Sequence, residues 1–166
     1  MLTTFYSCAT VKLAGRQDKD LVLNSDNFMT LNGIYANNSN DTSKTFWSNF
    51  DSATIYKYNQ YTVSITPNDL NTLKIKLNYE DSVVSVNMLG GHYKKGYFVV
   101  EREWTTDFIA GPLLWFLNNN LRYIGITKKN DLVILDSGGK LLVFLMMVPI
   151  TSKKIQYESE FKRIKK

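Results

Sequence analysis

The sequence predicts an all-β protein, an antiparallel up-and-down β-barrel with one short helix near the N-terminal side of the barrel. Three observations carry this. Apolar and polar residues alternate with period two along several short stretches, as half-buried strands require. Turn-forming residues punctuate those stretches at close intervals. A single segment carries the spacing of an amphipathic helix.

In chain order, residues 9–30 show no clear period and include the charged run AGRQDKD, which reads as a tether. A single barrel domain then spans 31–166, and its first strand begins at LNGIY (31–35). DTSKTFWSNF (41–50) reads as the helix, with Asp41 or Thr42 as N-cap and Phe46, Trp47 and Phe50 sharing a face. YTVSIT (61–66) turns Tyr61, Val63 and Ile65 inward, and Pro67, Asn68 and Asp69 form a turn. TLKIKLNY (72–79) places Leu73, Ile75, Leu77 and Tyr79 on one face and Lys74, Lys76 and Asn78 on the other. SVVSVNML (82–89) follows a tight Glu80–Asp81 corner and is expected to end at Gly90 and Gly91. GYFVVEREW (96–104) is a further strand, and LRYIGIT (121–127) and DLVILDS (131–137) form a hairpin through KKN. GGKLLVFLMMVP (138–149) is continuously apolar and reads as a strand buried on both sides, or one crossing under a loop. IQYESEFKRI (155–164) closes the chain as the last strand.

Composition narrows the function classes. The chain of 166 residues is long enough to bury a core of its own, and 44% hydrophobic with 21% charged residues is a globular composition. The net charge of +5 is concentrated near the C-terminus, where six Lys and Arg residues stand against two Glu from Lys153 onward. Glu158 and Glu160 interrupt that cluster and strand alternation accounts for its pattern, which argues against nucleic acid as the partner. No apolar window is long enough for a transmembrane helix.

Cys8 is the sole cysteine, so no internal disulfide supports the fold. A small residue precedes it in FYSC, Ala9 follows, and a polar segment comes next. This is the ending of a bacterial lipoprotein signal, in which the Cys receives the lipid. Residues 1–8 are therefore expected to be a partial signal remnant, with lipidation at Cys8, a lipid anchor to the membrane and a location on the periplasmic or outer-membrane face of a bacterial envelope. The charged start and full apolar length of such a signal are missing from these residues.

Gly33 and Tyr35 in LNGIY, with Arg163 or Lys162 in FKRI, carry a resemblance to a family. In lipocalins the first strand holds a Gly–x–Trp motif and a basic residue of the last strand packs over that ring. Here Tyr stands in place of Trp. Residues 31–164 resemble the small lipocalin-like lipoproteins of Gram-negative bacteria. The resemblance implies barrel closure through Gly33, Tyr35 and Arg163 and a non-enzymatic role, binding an apolar small molecule or a partner protein of the envelope. Tyr61, Tyr79, Phe98 and Trp104 are the expected lining of the ligand site.

Other readings are weaker. FIAGPLLWFL (108–117), broken by Gly111–Pro112, is either an apolar contact loop or core. His92 has no second His or Cys beside it to suggest a metal site, and no nucleophile motif accompanies it. Glu101 and Glu103 share a strand face, the arrangement a hydrolase reading needs, but a solvated face explains them as well. No catalytic residue, metal or cofactor is assigned. A structural envelope protein with a filled barrel is the remaining alternative.

Overall fold

The computed structural model describes residues 16, 18–40, 45–50, 60–101, 103–108, 114–144 and 148–165. Eleven strands follow in chain order among these residues: β1 (Asp20–Leu21), β2 (Gly33–Ala36), β3 (Tyr61–Pro67), β4 (Thr72–Tyr79), β5 (Ser82–Lys94), β6 (Tyr97–Val100), β7 (Glu103–Phe108), β8 (Leu114–Thr127), β9 (Leu132–Phe144), β10 (Val148–Phe161) and β11 (Arg163–Lys165). The fold is all-β and mostly antiparallel.

The described residues divide into two compact units. One holds the described residues within 16–101, 122–135 and 158–165; the other holds those within 103–121 and 136–157. In the latter, β7 pairs antiparallel with β8 from Glu103 opposite Asn120 to Phe108 opposite Trp115.

The strand order is β10–β9–β8–β6–β5–β4–β3–β2–β11, with β1 and β7 also on β8. The sheet is not closed into the expected barrel. Closure needs every strand paired on both sides. Here the order ends at β10 and at β11, each with one neighbour among the described strands.

The first unit is built on the β2–β3–β4–β5 meander. Tyr61 lies opposite Tyr79, Val63 opposite Leu77 and Ile65 opposite Ile75. This register puts Val63, Ile65, Leu73, Ile75 and Leu77 fully out of solvent, with Lys74 and Lys76 on the opposite face as the alternation predicts. Tyr35, Phe46, Trp47, Phe98 and Phe161 complete the core. The hairpins are set by residues in the left-handed region: Glu80 between β4 and β5, Lys95 with Gly96 between β5 and β6, and Asn130 between β8 and β9.

Three elements differ from expectation. The predicted end of β5 at Gly90 and Gly91 is instead a point of close approach. A Cβ on Gly91 would lie 2.4 Å from the Val99 carbonyl and 2.7 Å from the Phe98 ring, so the glycines let β5 and β6 pack there and β5 runs on to Lys94. The predicted helix over 41–50 is a single 3₁₀ turn, Trp47–Asn49. The Asn49 amide donates to the Thr45 and Phe46 carbonyls and the Ser48 hydroxyl donates to Thr45, so side chains occupy the acceptors that an α-helix would use. The proposed caps, Asp41 and Thr42, lie outside the described residues.

The third is the expected tether. Arg16, Asp20 and Leu23 are buried, and β1 pairs with β8. Arg16 forms ion pairs with Asp20, Glu158 and Glu160, and the Tyr97 hydroxyl donates to Asp20 at 2.6 Å. Arg16 and Asp20 are interior because each has a partner of opposite charge, while Asp18 and Lys19 between them are exposed.

Ile75→Ala is expected to lower stability to urea by about 2–5 kcal/mol through loss of a buried side chain. Lys74→Ala, one residue away on the other face, is expected to stay within about 0.5 kcal/mol. Equal effects would contradict this register.

Candidate functional site

Two clusters in the first unit bring together residues of chemical interest. The first centres on Arg163. Its guanidinium lies 5.1 Å from the centroid of the Tyr35 ring, donates to the Tyr35 hydroxyl at 2.7 Å, and donates to the carbonyls of Thr30 and Asn32 at 2.6 and 2.8 Å. The Tyr35 hydroxyl in turn donates to the Leu31 carbonyl. The Arg163 backbone N–H donates to Asp131 in the β8–β9 hairpin. Gly33 makes room for this arrangement, since a Cβ there would stand 2.9 Å from Arg163 Nε. The structure thus brings Gly33, Tyr35 and Arg163 together, with β11 opposite β2 at Arg163 and Tyr35. Burial pushes the Tyr35 phenol up to about 12, with the Arg163 charge opposing.

The second cluster is aromatic. Tyr61 and Tyr79, both half-buried, are paired across β3 and β4 with ring centroids 5.2 Å apart. Tyr61 packs against the core that contains Trp47. Asn37 links the two backbones: its N–H donates to the Tyr61 carbonyl and its side-chain oxygen accepts from the Trp47 N–H. Phe46 packs against Phe50 and, edge-on, against Phe161. The Arg122 guanidinium lies 5.3 Å from the Phe50 ring centroid.

Within this apolar cluster the Trp47 indole Nε1 is buried and has no hydrogen-bond partner. Buried polar groups are nearly always paired, so an orphaned donor calls for an explanation. Trp47 was legible in the sequence as a helix-face aromatic; its unpaired N–H was not, because that depends on what surrounds the ring.

The four expected lining residues do not form one group. Tyr61 and Tyr79 come together. Phe98 is fully buried on β6 with its ring against Tyr93, a core position. Trp104 sits on β7 opposite Asn119, in the other unit, and its side chain lies outside the described residues. Cys8 also lies outside them. Glu101 is exposed, and its carboxylate stands where a Gly90 Cβ would be. The Glu103 side chain is outside the described residues, so no pairing of the two carboxylates is available. His92 is exposed on β5. Among the described residues no helix is long and apolar enough to cross a membrane.

Compared with protein-family models, with curated proteins and with solved structures, the chain matches none.

Arg163→Ala is expected to destabilise the fold by about 2–4 kcal/mol in denaturant unfolding, since it removes the stacked cation and leaves two carbonyls and a hydroxyl short of a donor. The Tyr35 shift gives a signed pH dependence. A phenol whose folded value exceeds its ordinary 10.0 contributes stability that is fully present below pH 10 and lost as pH rises toward about 12. Tyr35→Phe is expected to make the loss of stability over that window shallower.

Proposed function

We propose that this protein is a non-enzymatic binding protein that takes an apolar small molecule bearing a hydrogen-bond acceptor. In this reading it is lipocalin-like in its Gly33–x–Tyr35 strand and stacked arginine, although its sheet is open. It is held at a bacterial envelope by a lipid on Cys8. The observation that carries the binding reading is the Trp47 Nε1 donor, buried among aromatic rings without a partner. The Tyr61–Tyr79 pair supports it, because Tyr61 packs against the core that contains Trp47 and its ring partner Tyr79 is half-buried, which extends the apolar surface outward.

A second reading has its own support. Tyr35, Phe46, Phe98 and Phe161 are fully buried and fill much of the interior, which suits a structural protein with no ligand.

One titration separates the two. With anilinonaphthalene sulfonate as an apolar anionic probe, saturable binding is expected. Trp47→Phe keeps the ring but removes the donor, and is expected to weaken binding about fivefold, the worth of one hydrogen bond. Tyr61→Ala with Tyr79→Ala is expected to weaken it further. Binding that is absent, or indifferent to all three changes in folded variants, would leave the structural reading. Mass spectrometry of the protein from its native host, showing a diacylglyceryl mass on Cys8 or lacking it, tests the anchor.

A further inference from the structure

Hydrogen bonds and strand register bring several turns of the first unit to one end of its sheet. β2 starts there, with Gly33 opposite Ile65 near the end of β3, and the β3–β4 turn follows. The 3₁₀ turn Phe28–Leu31 leads into β2 at the same end. β11 finishes there, with Lys165 opposite Ile34. The β8–β9 turn lies beside it, since the Arg163 N–H donates to Asp131. The chain before β1 joins that turn, where the Lys128 N–H donates to the Lys19 carbonyl at 2.7 Å. The chain after β1 joins the β5–β6 turn, where the Leu23 N–H donates to the Gly96 carbonyl at 3.0 Å.

Two kinds of side chain gather at this end. Lys19, Lys94, Lys95, Lys128, Lys129 and Lys165 are exposed. Among the described residues the ion pairs all have Arg16 as their cation, so none of these six lysines is held by a carboxylate. The exposed carboxylates here are Asp18, Asp26 and Asp69, half as many, and the acidic turn Glu80–Asp81 lies at the opposite end of β4 and β5. The second kind is apolar and sits on the same turns. Val22, against the Gly96 turn, is 66% exposed. Met29 in the 3₁₀ turn is 52% exposed, Leu70 in the β3–β4 turn 45%, and Ile164 beside Lys165 57%.

We propose that this end of the first unit docks on an anionic lipid surface. The lysines meet the headgroup phosphates, and Val22, Met29, Leu70 and Ile164 enter the interfacial layer. Charge complementarity selects a negative surface, to which each lysine near it adds about 1 kcal/mol of attraction. The apolar turn residues select lipid over a dissolved polyanion, because only a lipid layer offers an apolar phase beside its negative charge. A single-stranded nucleic acid would need free aromatic faces to stack on. The nearby rings of Phe28 and Tyr93 are instead edge-on to one another, with centroids 6.1 Å apart. Turns also suit a shallow site, since the headgroup region supplies water for their backbone groups and the lysine stems reach past the apolar tips. The inference goes beyond the binding role proposed above and does not require a lipid on Cys8. Arg16, eight residues after Cys8, is tied to this end through the Lys19 N–H, so an anchor there and this docking surface would face the same membrane.

The test is sedimentation of the full chain with vesicles, carried out with Cys8→Ser so that no anchor contributes. Binding to phosphatidylcholine vesicles containing phosphatidylglycerol is expected to be at least about tenfold tighter than to phosphatidylcholine alone, and to weaken as salt is raised. Lys128→Gln with Lys129→Gln, in an exposed turn, is expected to stay folded by circular dichroism and to bind at least about tenfold more weakly, at about fivefold per lysine. Val22→Ser with Ile164→Ser is expected to weaken binding at least about fivefold. Lys74→Gln with Lys76→Gln, on the face of β4 and away from this end, is expected to leave it unchanged. A second measurement does not depend on loss of binding: a nitrobenzoxadiazole label on Ile164→Cys, in the Cys8→Ser background, is expected to shift its emission to the blue on phosphatidylglycerol vesicles. A chain that does not bind these vesicles overturns the proposal, as does binding indifferent to the Lys128 and Lys129 changes, or a label that does not shift. Binding to duplex DNA that is tighter than to the vesicles and unaffected by the Val22 and Ile164 changes also overturns it, and assigns the lysines to a phosphate polymer.

Discussion

The Arg163 guanidinium is the point on which the first unit turns. One side chain of the last strand satisfies the carbonyls of Thr30 and Asn32, holds the Tyr35 hydroxyl and covers the Tyr35 ring. The carbonyls belong to the short 3₁₀ turn Phe28–Leu31 and the residue after it, where a helical turn runs out of internal donors. All three of these bonds come from Nη2, while the flat face of the guanidinium covers the Tyr35 ring. A lysine offers the charge without that flat face. Since β11 is only three residues long, its backbone pairing is slight, and the register of β11 on β2 depends on what Arg163 holds. Gly33 is part of the same constraint, because the guanidinium occupies the space a side chain would need.

Pairing of buried polar atoms is uneven. Arg16, Asp20 and Tyr97 form a network, and Asn49 finds two carbonyls within its own turn. Among the described residues Trp47 Nε1 and the Tyr93 hydroxyl have no hydrogen-bond partner, and the same holds for Asp136 Oδ1, Ser137 Oγ and Arg163 Nε. Tyr93 has Phe28 and Phe98 edge-on around its ring, and burial pushes its phenol up to about 12. Both lie on one core, against which Tyr61 and Tyr93 pack as half-buried aromatics.

Much of the β-meander was legible because alternation is a local property. Val63, Ile65, Ile75 and Leu77 are buried for the same reason that their neighbours are polar. The Tyr35–Arg163 pairing was accessible through a motif, although its two members are 128 residues apart. What escaped the sequence depends on distant partners. The run around Arg16 reads as solvated until Glu160, 144 residues away, supplies the second carboxylate. Gly90 and Gly91 read as a strand end because a glycine pair most often marks a turn, whereas here the missing Cβ admits Phe98 and Val99. The segment around Trp47 has helical spacing, but Ser48 and Asn49 compete for the carbonyls that a helix needs.

The same local causes explain why β5, paired with β4 along its length, meets β6 only from Gly91 to Lys94. Gly91 draws β6 in tightly, and the last backbone bond between these segments runs from the Glu101 N–H to the Gly90 carbonyl. Past that point the neighbouring chain carries an exposed carboxylate at Glu101 and then, as β7, pairs with β8. β5, thirteen residues long, therefore outlasts its four-residue neighbour. Its remaining backbone groups need water or another strand. Water is the ordinary answer for a polar edge, and it suits Ser82, Ser85 and Asn87. It suits Val84, Val86 and Met88 poorly, because the solvent that satisfies the backbone must also hydrate three apolar side chains.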